Sequence, residues 1–233
     1  MTTPPHHVLF IGNSYTQNNR LPDVVAQLAK AAGHALSTRL HATGGNTLAR
    51  HANNPNTLEL INSQHWDAVV LQEQSIIPAV ESERPVMYQA IRYLDWHIKQ
   101  AGSTTLLLQT WGRQHGLADF GFSDYATMQA HLDIGYREIA SEVGATLIPV
   151  GRVWQQVVNR YPNIALWGAD GGHPAKAGTY LAACVCFVHL YGESPEGLVD
   201  TFGLGIDTAR RLQAVASESV QPDYRILPAH PTH

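Results

Sequence analysis

A serine near the start of the chain and an Asp/His pair near its end are the residues best suited to chemistry. An apolar run, residues 8–11, stops at Gly-Asn-Ser, a pattern that predicts a buried strand presenting Ser14 at its carboxyl end. Asp170 and His173 stand three positions apart before an apolar helical stretch. A serine hydroxyl becomes a good nucleophile when a base takes its proton and a carboxylate orients that base. These three side chains therefore indicate acyl transfer.

The segments around these residues match a known family. Gly-Asn-Ser-Tyr-Thr resembles the first sequence block of the SGNH (GDSL-like) hydrolases, with Asn13 where many members carry Asp, and Asp170-x-x-His173-Pro174 resembles the last block. In that family the Ser is the nucleophile and the Asp and His complete the triad. The resemblance thus implies these roles for Ser14, Asp170 and His173, and a flavodoxin-like α/β fold. Each match is short, so the combination carries the specificity.

Two further blocks are expected between these ends. Thr-Gly44-Gly45-Asn is similar to the second block, whose glycine lends a backbone N–H to the oxyanion hole. The third block normally has the pattern Gly-x-Asn-Asp, whereas this chain has Gln72-Glu-Gln74-Ser. A carboxamide N–H of Gln74 is the best replacement for the missing Asn. The resemblance implies an oxyanion hole with the backbone N–H groups of Ser14 and Gly45, and we expect Gln74 as its third donor.

Apolar runs of strand length alternate with stretches of helical periodicity, the pattern of a parallel sheet covered by helices. This predicts an α/β fold, a three-layer α/β/α sandwich around a sheet of about five parallel strands. Ligands bind such sheets beyond the carboxyl ends of the strands, where Ser14, Gly45 and Gln74 all fall. We predict strands near 7–12, 35–41, 67–72, 104–109 and 144–149, and helices over about 22–33, 85–102, 174–192 and 207–218 and after 124.

Composition limits the classes of function. The 233 residues, 44% of them hydrophobic, suit one domain over 1–220, followed by a loose tail, 221–233, rich in Pro and His. A net charge of −4 gives no basic field for nucleic acid or anionic lipid. There is no signal-peptide pattern or membrane-length run, so we expect a cytoplasmic chain. Cys184 and Cys186 are expected to be small core residues. No metal motif is present, and we expect no cofactor.

The substrate is predicted from side chains near the expected cleft. Trp111, Arg113 and Trp167 stand near strand ends or Asp170, where rings would suit sugar faces and the guanidinium a carboxylate. Each has a plainer interpretation, since both tryptophans suit a core and Arg113 has Asp119 or Asp124 as a possible surface partner. We expect small O-acyl esters, with acetyl groups on a carbohydrate leading. The other predicted substrate-binding residues are Asn13, Gly44 and Gln72.

Other functions remain open at this point. Gly-Asn-Ser and the glycine pair also suit ordinary turns, and the altered third block is compatible with a sugar- or anion-binding domain without turnover. A flavodoxin-like cofactor binder would use the hydroxyls of Ser14, Tyr15 and Thr16 but leaves Asp170 and His173 without a role. Glu73 suggests a glycosidase base, although no second carboxylate is identifiable. Oligomeric state and acyltransfer to an acceptor other than water are not determined by the sequence.

Overall fold

The computed structural model describes residues 6–219 and 226–227, and one parallel sheet lies at its centre. Its strand order is β2-β1-β3-β4-β5. This is the flavodoxin-like order, and it confirms the predicted α/β fold with five parallel strands. The strands are β1 (His6–Gly12), β2 (Leu36–Ala42), β3 (Ala68–Leu71), β4 (Thr104–Leu108) and β5 (Thr146–Ile148).

Helices follow the strands and cover the sheet. Prolines stand in the first turns of α2 and α5, and glycines follow the ends of α6 and α8, as the sequence signals predict. The helices are α1 (Ser14–Gln17), α2 (Leu21–Ala31), α3 (Leu48–Ala52), α4 (Pro55–Asn62), α5 (Arg84–Gln100), α6 (Tyr125–Val143), α7 (Val150–Arg160), α8 (Lys176–Tyr191) and α9 (Ile206–Ser217). The sequence did not predict α1, α3, α4 or α7.

Strand β1 shows how the sheet separates two cores. Alternate side chains of a strand point to opposite faces. Val8 and Phe10 pack into a cluster with residues of α2, α8 and α9, whereas Leu9 and Ile11 pack against residues of α5 and α6. All four side chains are fully buried. The strand that precedes Ser14 is therefore held from both sides, which fixes the position of its carboxyl end.

Helix α8 is buried on all sides, and the two cysteines lie in it. Cys184 and Cys186 are unpaired and fully buried, which confirms that they are small core residues. Near the end of α8, the Leu190 carbonyl accepts the backbone N–H groups of Ile226 (3.1 Å) and Leu227 (2.8 Å). The rest of the predicted tail, 221–233, lies outside the described residues. Within the described ranges, no helix combines the length and apolar character needed to cross a membrane.

Candidate active site

Ser14, His173 and Asp170 lie in one hydrogen-bonded chain at the carboxyl ends of the strands. His173 Nε2 is 2.9 Å from Ser14 Oγ, and His173 Nδ1 contacts Asp170 Oδ2. An ionised carboxylate can only accept a hydrogen bond, so the imidazole proton lies on Nδ1 and is donated to Asp170. The lone pair of Nε2 then accepts the hydrogen bond of the Ser14 hydroxyl. The fold thus joins residues 159 positions apart in the order nucleophile, base, orienting acid.

The loop that carries Ser14 is fixed by the residue before it. Asn13 is the N-cap of α1, and its Oδ1 accepts the N–H of Tyr15 at 3.0 Å. Ser14 is the first residue of α1, so its own N–H has no acceptor within the helix and is available to a negative ligand atom. Gly12 permits the tight exit from β1, because a Cβ there would lie 2.6 Å from Gln72 Oε1.

The Asp170–His173 turn organises itself around one carboxylate. Asp170 Oδ1 accepts the backbone N–H groups of Gly172 and His173, each at 3.0 Å. The hydrogen bond from His173 and then the Gly172 N–H lower the pKa of Asp170 to about 2. Asp170 is therefore ionised at any ordinary pH and able to stabilise a protonated imidazole. The Asp170 and His173 side chains are 49% and 38% exposed, so this site is open to solvent.

Gly45, predicted for the oxyanion hole, and Gly44, predicted to bind substrate, occupy a turn next to the Ser14 loop. The N–H of Asn46 donates to the Thr43 carbonyl at 3.0 Å, and Gly45 has a φ of +69°, a value that favours glycine. Gly44 and Gly45 are both exposed. Asn13 Nδ2 donates to the Asn46 carbonyl at 2.9 Å and so fastens this turn to the loop of the nucleophile. The oxyanion role of Gly45 stays a prediction.

Gln74 keeps a free donor near the end of β3. Its Oε1 accepts the N–H of Ile76 at 2.7 Å, which fixes the carboxamide, and the side chain is half-buried. Within the part of the chain that the structure describes, Gln74 Nε2 donates no hydrogen bond. A carboxamide that is held through its oxygen keeps its N–H groups available to another acceptor, as an oxyanion donor requires.

Glu73 connects the third block to the segment that follows the second block, through hydrogen bonds inside the protein. Its side chain is fully buried, and Oε1 accepts the N–H of Leu48 at 3.1 Å and that of Gln74 at 2.6 Å. Burial raises the pKa of Glu73 to about 7, although the two N–H groups act in the opposite direction. A carboxyl group out of reach of solvent is not placed to activate water, so the glycosidase interpretation of Glu73 finds no support.

Two predicted substrate contacts are corrected by burial. Gln72 is 1% exposed, and its Oε1 accepts the Asn13 N–H (3.1 Å) and the Thr16 hydroxyl (2.8 Å). Asn13 is 2% exposed, and both ends of its carboxamide are bonded to backbone. Both residues position the loop of Ser14 and do not line the cleft. The bonded, buried Thr16 hydroxyl is likewise not free for the phosphate of a flavodoxin-like cofactor.

Trp111 was also predicted at the substrate, and it lies in the core. It is 1% exposed, with its ring stacked on Trp154 at 4.1 Å and on Tyr15 at 5.0 Å between centroids. Its Nε1 donates to the Gly172 carbonyl at 3.0 Å and so supports the catalytic turn from behind. Trp167 is half-buried, with Nε1 donating to the Gly112 carbonyl at 2.9 Å, and its substrate contact stays a prediction.

His51 supports the loop of Ser14, although the sequence suggests for it only a loop position on the surface or beside the cleft. It lies on α3 with 1% exposure, and its Nε2 is 2.8 Å from the Gly12 carbonyl. Burial lowers the pKa of His51, so a neutral ring donates this hydrogen bond to the residue two before Ser14. No pattern of spacing connects the two positions, and only the folded chain reveals the contact.

Solved structures provide the comparison with known proteins. A proposed SGNH hydrolase from Slackia heliotrinireducens is 29% identical, with a TM-score of 0.68 over 79% of this chain and 98% of that one. The chain belongs to the SGNH-like superfamily. A DUF4886 family protein from Bacteroides uniformis (20% identity) has a TM-score of 0.79 over 95% of this chain and 97% of that one.

A third similar structure bears a substrate in its description. It is an acetyl xylan esterase from Geobacillus stearothermophilus, 16% identical, with a TM-score of 0.59 over 78% of this chain and 92% of that one. At this identity the likeness concerns the fold alone. No family model matches the chain, and no curated protein matches it either. The SGNH neighbour at 29% identity supports a hydrolase function.

Proposed function

We propose that this SGNH-like protein is a serine esterase that needs no metal, with Ser14 as nucleophile, His173 as base and Asp170 as orienting acid. The observation that carries the proposal is the 2.9 Å contact between Ser14 Oγ and His173 Nε2, in line with the contact from Nδ1 to Asp170. A serine that only forms a turn does not require a hydrogen bond to an imidazole whose tautomer is fixed by a carboxylate, whereas a serine nucleophile does.

The reaction follows from these contacts. His173 accepts the Ser14 proton as Oγ attacks the ester carbonyl, and the same proton then passes to the departing alcohol. The oxyanion accepts hydrogen bonds from the N–H groups of Ser14 and Gly45 and from Gln74 Nε2. Water, deprotonated by His173, hydrolyses the resulting acyl-serine and regenerates the hydroxyl. Each donor lost from such a hole costs on the order of 3 kcal/mol in the barrier.

Small O-acyl esters, acetyl groups on a carbohydrate among them, are the substrate class that we propose. The open position of His173 and Asp170 leaves room for a bulky alcohol that extends into solvent. Trp167, half-buried, offers part of an aromatic ring near the catalytic turn. The similar fold of an acetyl xylan esterase agrees with this class.

A binding domain without turnover is the second candidate, and the altered third block is the observation in its favour. Hydrolysis of p-nitrophenyl acetate separates the two. We expect turnover by the wild type, its loss in Ser14→Ala and His173→Ala, and its retention in Ser82→Ala, which removes an exposed serine. Thermal unfolding verifies that each variant folds. Equal turnover by Ser14→Ala would refute the esterase proposal, and ligand binding without turnover would favour the second candidate.

A further inference from the structure

Arg113 lies beside the catalytic turn, and its side chain has no hydrogen-bond or ion-pair partner among the described residues. Its side chain is half-buried, its Nε is buried without a hydrogen bond, and it forms no ion pair with Asp119, Asp124 or any other described carboxylate. Arg84, also inside the protein, donates to the carbonyls of Pro78 and His131 and forms an ion pair with Glu138 at 3.9 Å. The absence of any such acceptor sets Arg113 apart.

The Arg113 guanidinium lies against the loop that carries the acid and the base. A Cβ added to Gly172 would be 3.3 Å from Arg113 Nη1 and 3.3 Å from Tyr15 Oη. The next residue, Gln114, donates its N–H to the Gly171 carbonyl at 2.8 Å. The segment of Arg113 is therefore held against the catalytic turn.

A guanidinium cannot lose its charge in a protein, and burying part of it without a counter-charge is costly. Asp170, on the adjoining turn, is already engaged, with Oδ2 at the imidazole and Oδ1 at two backbone N–H groups. Tyr15 does not supply the charge either, because burial raises its pKa and keeps the hydroxyl neutral. No described carboxylate forms an ion pair with the Arg113 guanidinium, so its charge is available to a ligand anion.

The position of Arg113 indicates which part of the ester holds that anion. In the proposed reaction His173 delivers its proton to the leaving alcohol, so the alcohol lies on the side of the catalytic turn. Arg113 is packed on the same turn. We propose that Arg113 binds a carboxylate on the alcohol portion of the ester, so that the preferred substrates are O-acylated hydroxy acids, acidic sugars included. A planar guanidinium pairs with a carboxylate through two parallel hydrogen bonds.

This inference rests on the proposed esterase function, and matched esters test it. The probes are 3-acetoxybenzoate, with the carboxylate on the alcohol, phenyl hemisuccinate, with it on the acyl group, and neutral phenyl acetate. We expect Arg113→Gln to lower kcat/KM for 3-acetoxybenzoate relative to phenyl acetate by about tenfold or more. Arg113→Lys should lose less, because it keeps the charge. Arg210→Gln, which removes an exposed arginine of α9, should keep the wild-type ratio.

Several outcomes would overturn the assignment. An unchanged ratio in Arg113→Gln would show that Arg113 binds no substrate anion, and an equal loss for all three esters would mark it as structural. A selective loss for phenyl hemisuccinate would move the anion to the acyl side and refute the proposal as stated. If Arg113→Gln does not fold, Arg113→Lys takes its place. A wild-type ratio of the two kcat/KM values in Arg113→Lys, unchanged by added salt, would likewise show that Arg113 binds no substrate anion.

Binding to an inactive protein keeps the two proposals separate. Calorimetric titration of Ser14→Ala with 3-hydroxybenzoate, the product alcohol, needs no turnover. We expect binding that weakens by about tenfold or more when Arg113→Gln is added. Equal binding by both proteins would overturn the anion site whether or not the wild type is an esterase. If the wild type hydrolyses none of the esters while this difference persists, the esterase proposal fails and the anion site stands.

Discussion

Asn13 donates a hydrogen bond from Nδ2 to the backbone carbonyl of Asn46 at 2.9 Å. This bond joins the loop of the nucleophile to the turn that contains Gly45, so two proposed oxyanion donors are held by one side chain. The other end of the Asn13 carboxamide caps α1. Many SGNH hydrolases carry Asp at this position, and an aspartate has no N–H to give. The Asn of this chain therefore has a specific structural use.

Replacing Asn13 by Asp tests that use. Asn13→Asp keeps the cap oxygen but places a carboxylate against the Asn46 carbonyl, so we expect a loss of about 1–3 kcal/mol in the free energy of unfolding. We also expect kcat to fall more than KM changes, because the donors shift relative to each other. Urea unfolding and steady-state kinetics measure the two effects. Asn53→Asp is the matched control, since it removes a similar bond to the Ala49 carbonyl at an exposed site.

Gln74 is expected to act in the transition state alone. Gln74→Glu keeps an oxygen for the Ile76 N–H but removes the free donor and adds negative charge. We expect kcat to fall by roughly a hundredfold to a thousandfold, with little change in thermal stability. Gln89→Glu, at an exposed position, adds the same charge elsewhere and should have the wild-type kcat. A wild-type kcat in Gln74→Glu would remove Gln74 from the oxyanion hole.

Glu73 should make stability depend on pH. Its pKa in the folded protein, about 7, exceeds the ordinary value of 4.5, so the folded state holds the proton more tightly than the unfolded state does. The free energy of unfolding should therefore fall as pH rises from about 4.5 to about 7, by up to about 3 kcal/mol. Tyr136, whose hydroxyl accepts the Glu73 N–H, faces this group from α6.

Urea unfolding at several pH values measures this contribution. Glu73→Gln keeps an oxygen for the Leu48 and Gln74 N–H groups and should remove that part of the pH dependence. Glu81→Gln, which neutralises an exposed carboxylate, should leave the profile as in the wild type. Parallel profiles for the wild type and Glu73→Gln would contradict a raised pKa for Glu73.

Asp170 is expected to be needed for rate rather than for folding. In Asp170→Asn the imidazole loses the charge that stabilises its protonated form and fixes its tautomer, and we expect kcat to drop by roughly three to four orders of magnitude. The exposed position of the side chain limits the effect on stability. Steady-state kinetics with p-nitrophenyl acetate, together with thermal unfolding, measure both. A loss of less than about tenfold would mean that Asp170 does not orient the base.

The sequence predicts the sheet and the three triad residues better than it predicts the helices between them and the contacts that support the site. Apolar runs identify the inner strands β1, β3 and β4, because buried parallel strands are nearly continuous in apolar residues. The edge strand β2 has no such run, and its side chains alternate between exposed and half-buried over most of its length. Helix α7 went unpredicted although Val150, Val153, Trp154 and Val157 are buried at helical spacing. It follows β5 after Pro149 alone, with no N-cap side chain to mark its start.

Which way a side chain points at a strand end is not encoded in local spacing. Gln72 and Trp111 both follow strands, as substrate contacts would, yet each is 1% exposed. Their partners, the Asn13 N–H and the Gly172 carbonyl, come from distant parts of the chain. The Ser14, Asp170 and His173 cluster was predictable because a resemblance supplied the pairing, whereas the supporting contacts of Glu73 and His51 required coordinates.

The central claim, an activated serine at position 14, is tested most directly by labelling with a fluorophosphonate and mapping the modified peptide by mass spectrometry. The account predicts stoichiometric phosphonylation of Ser14 in the wild type. It predicts no phosphonylation of Ser14 in His173→Ala, because that variant lacks the imidazole whose Nε2 lies 2.9 Å from Ser14 Oγ. Labelling at another serine, or none in a folded wild-type protein, would contradict the account.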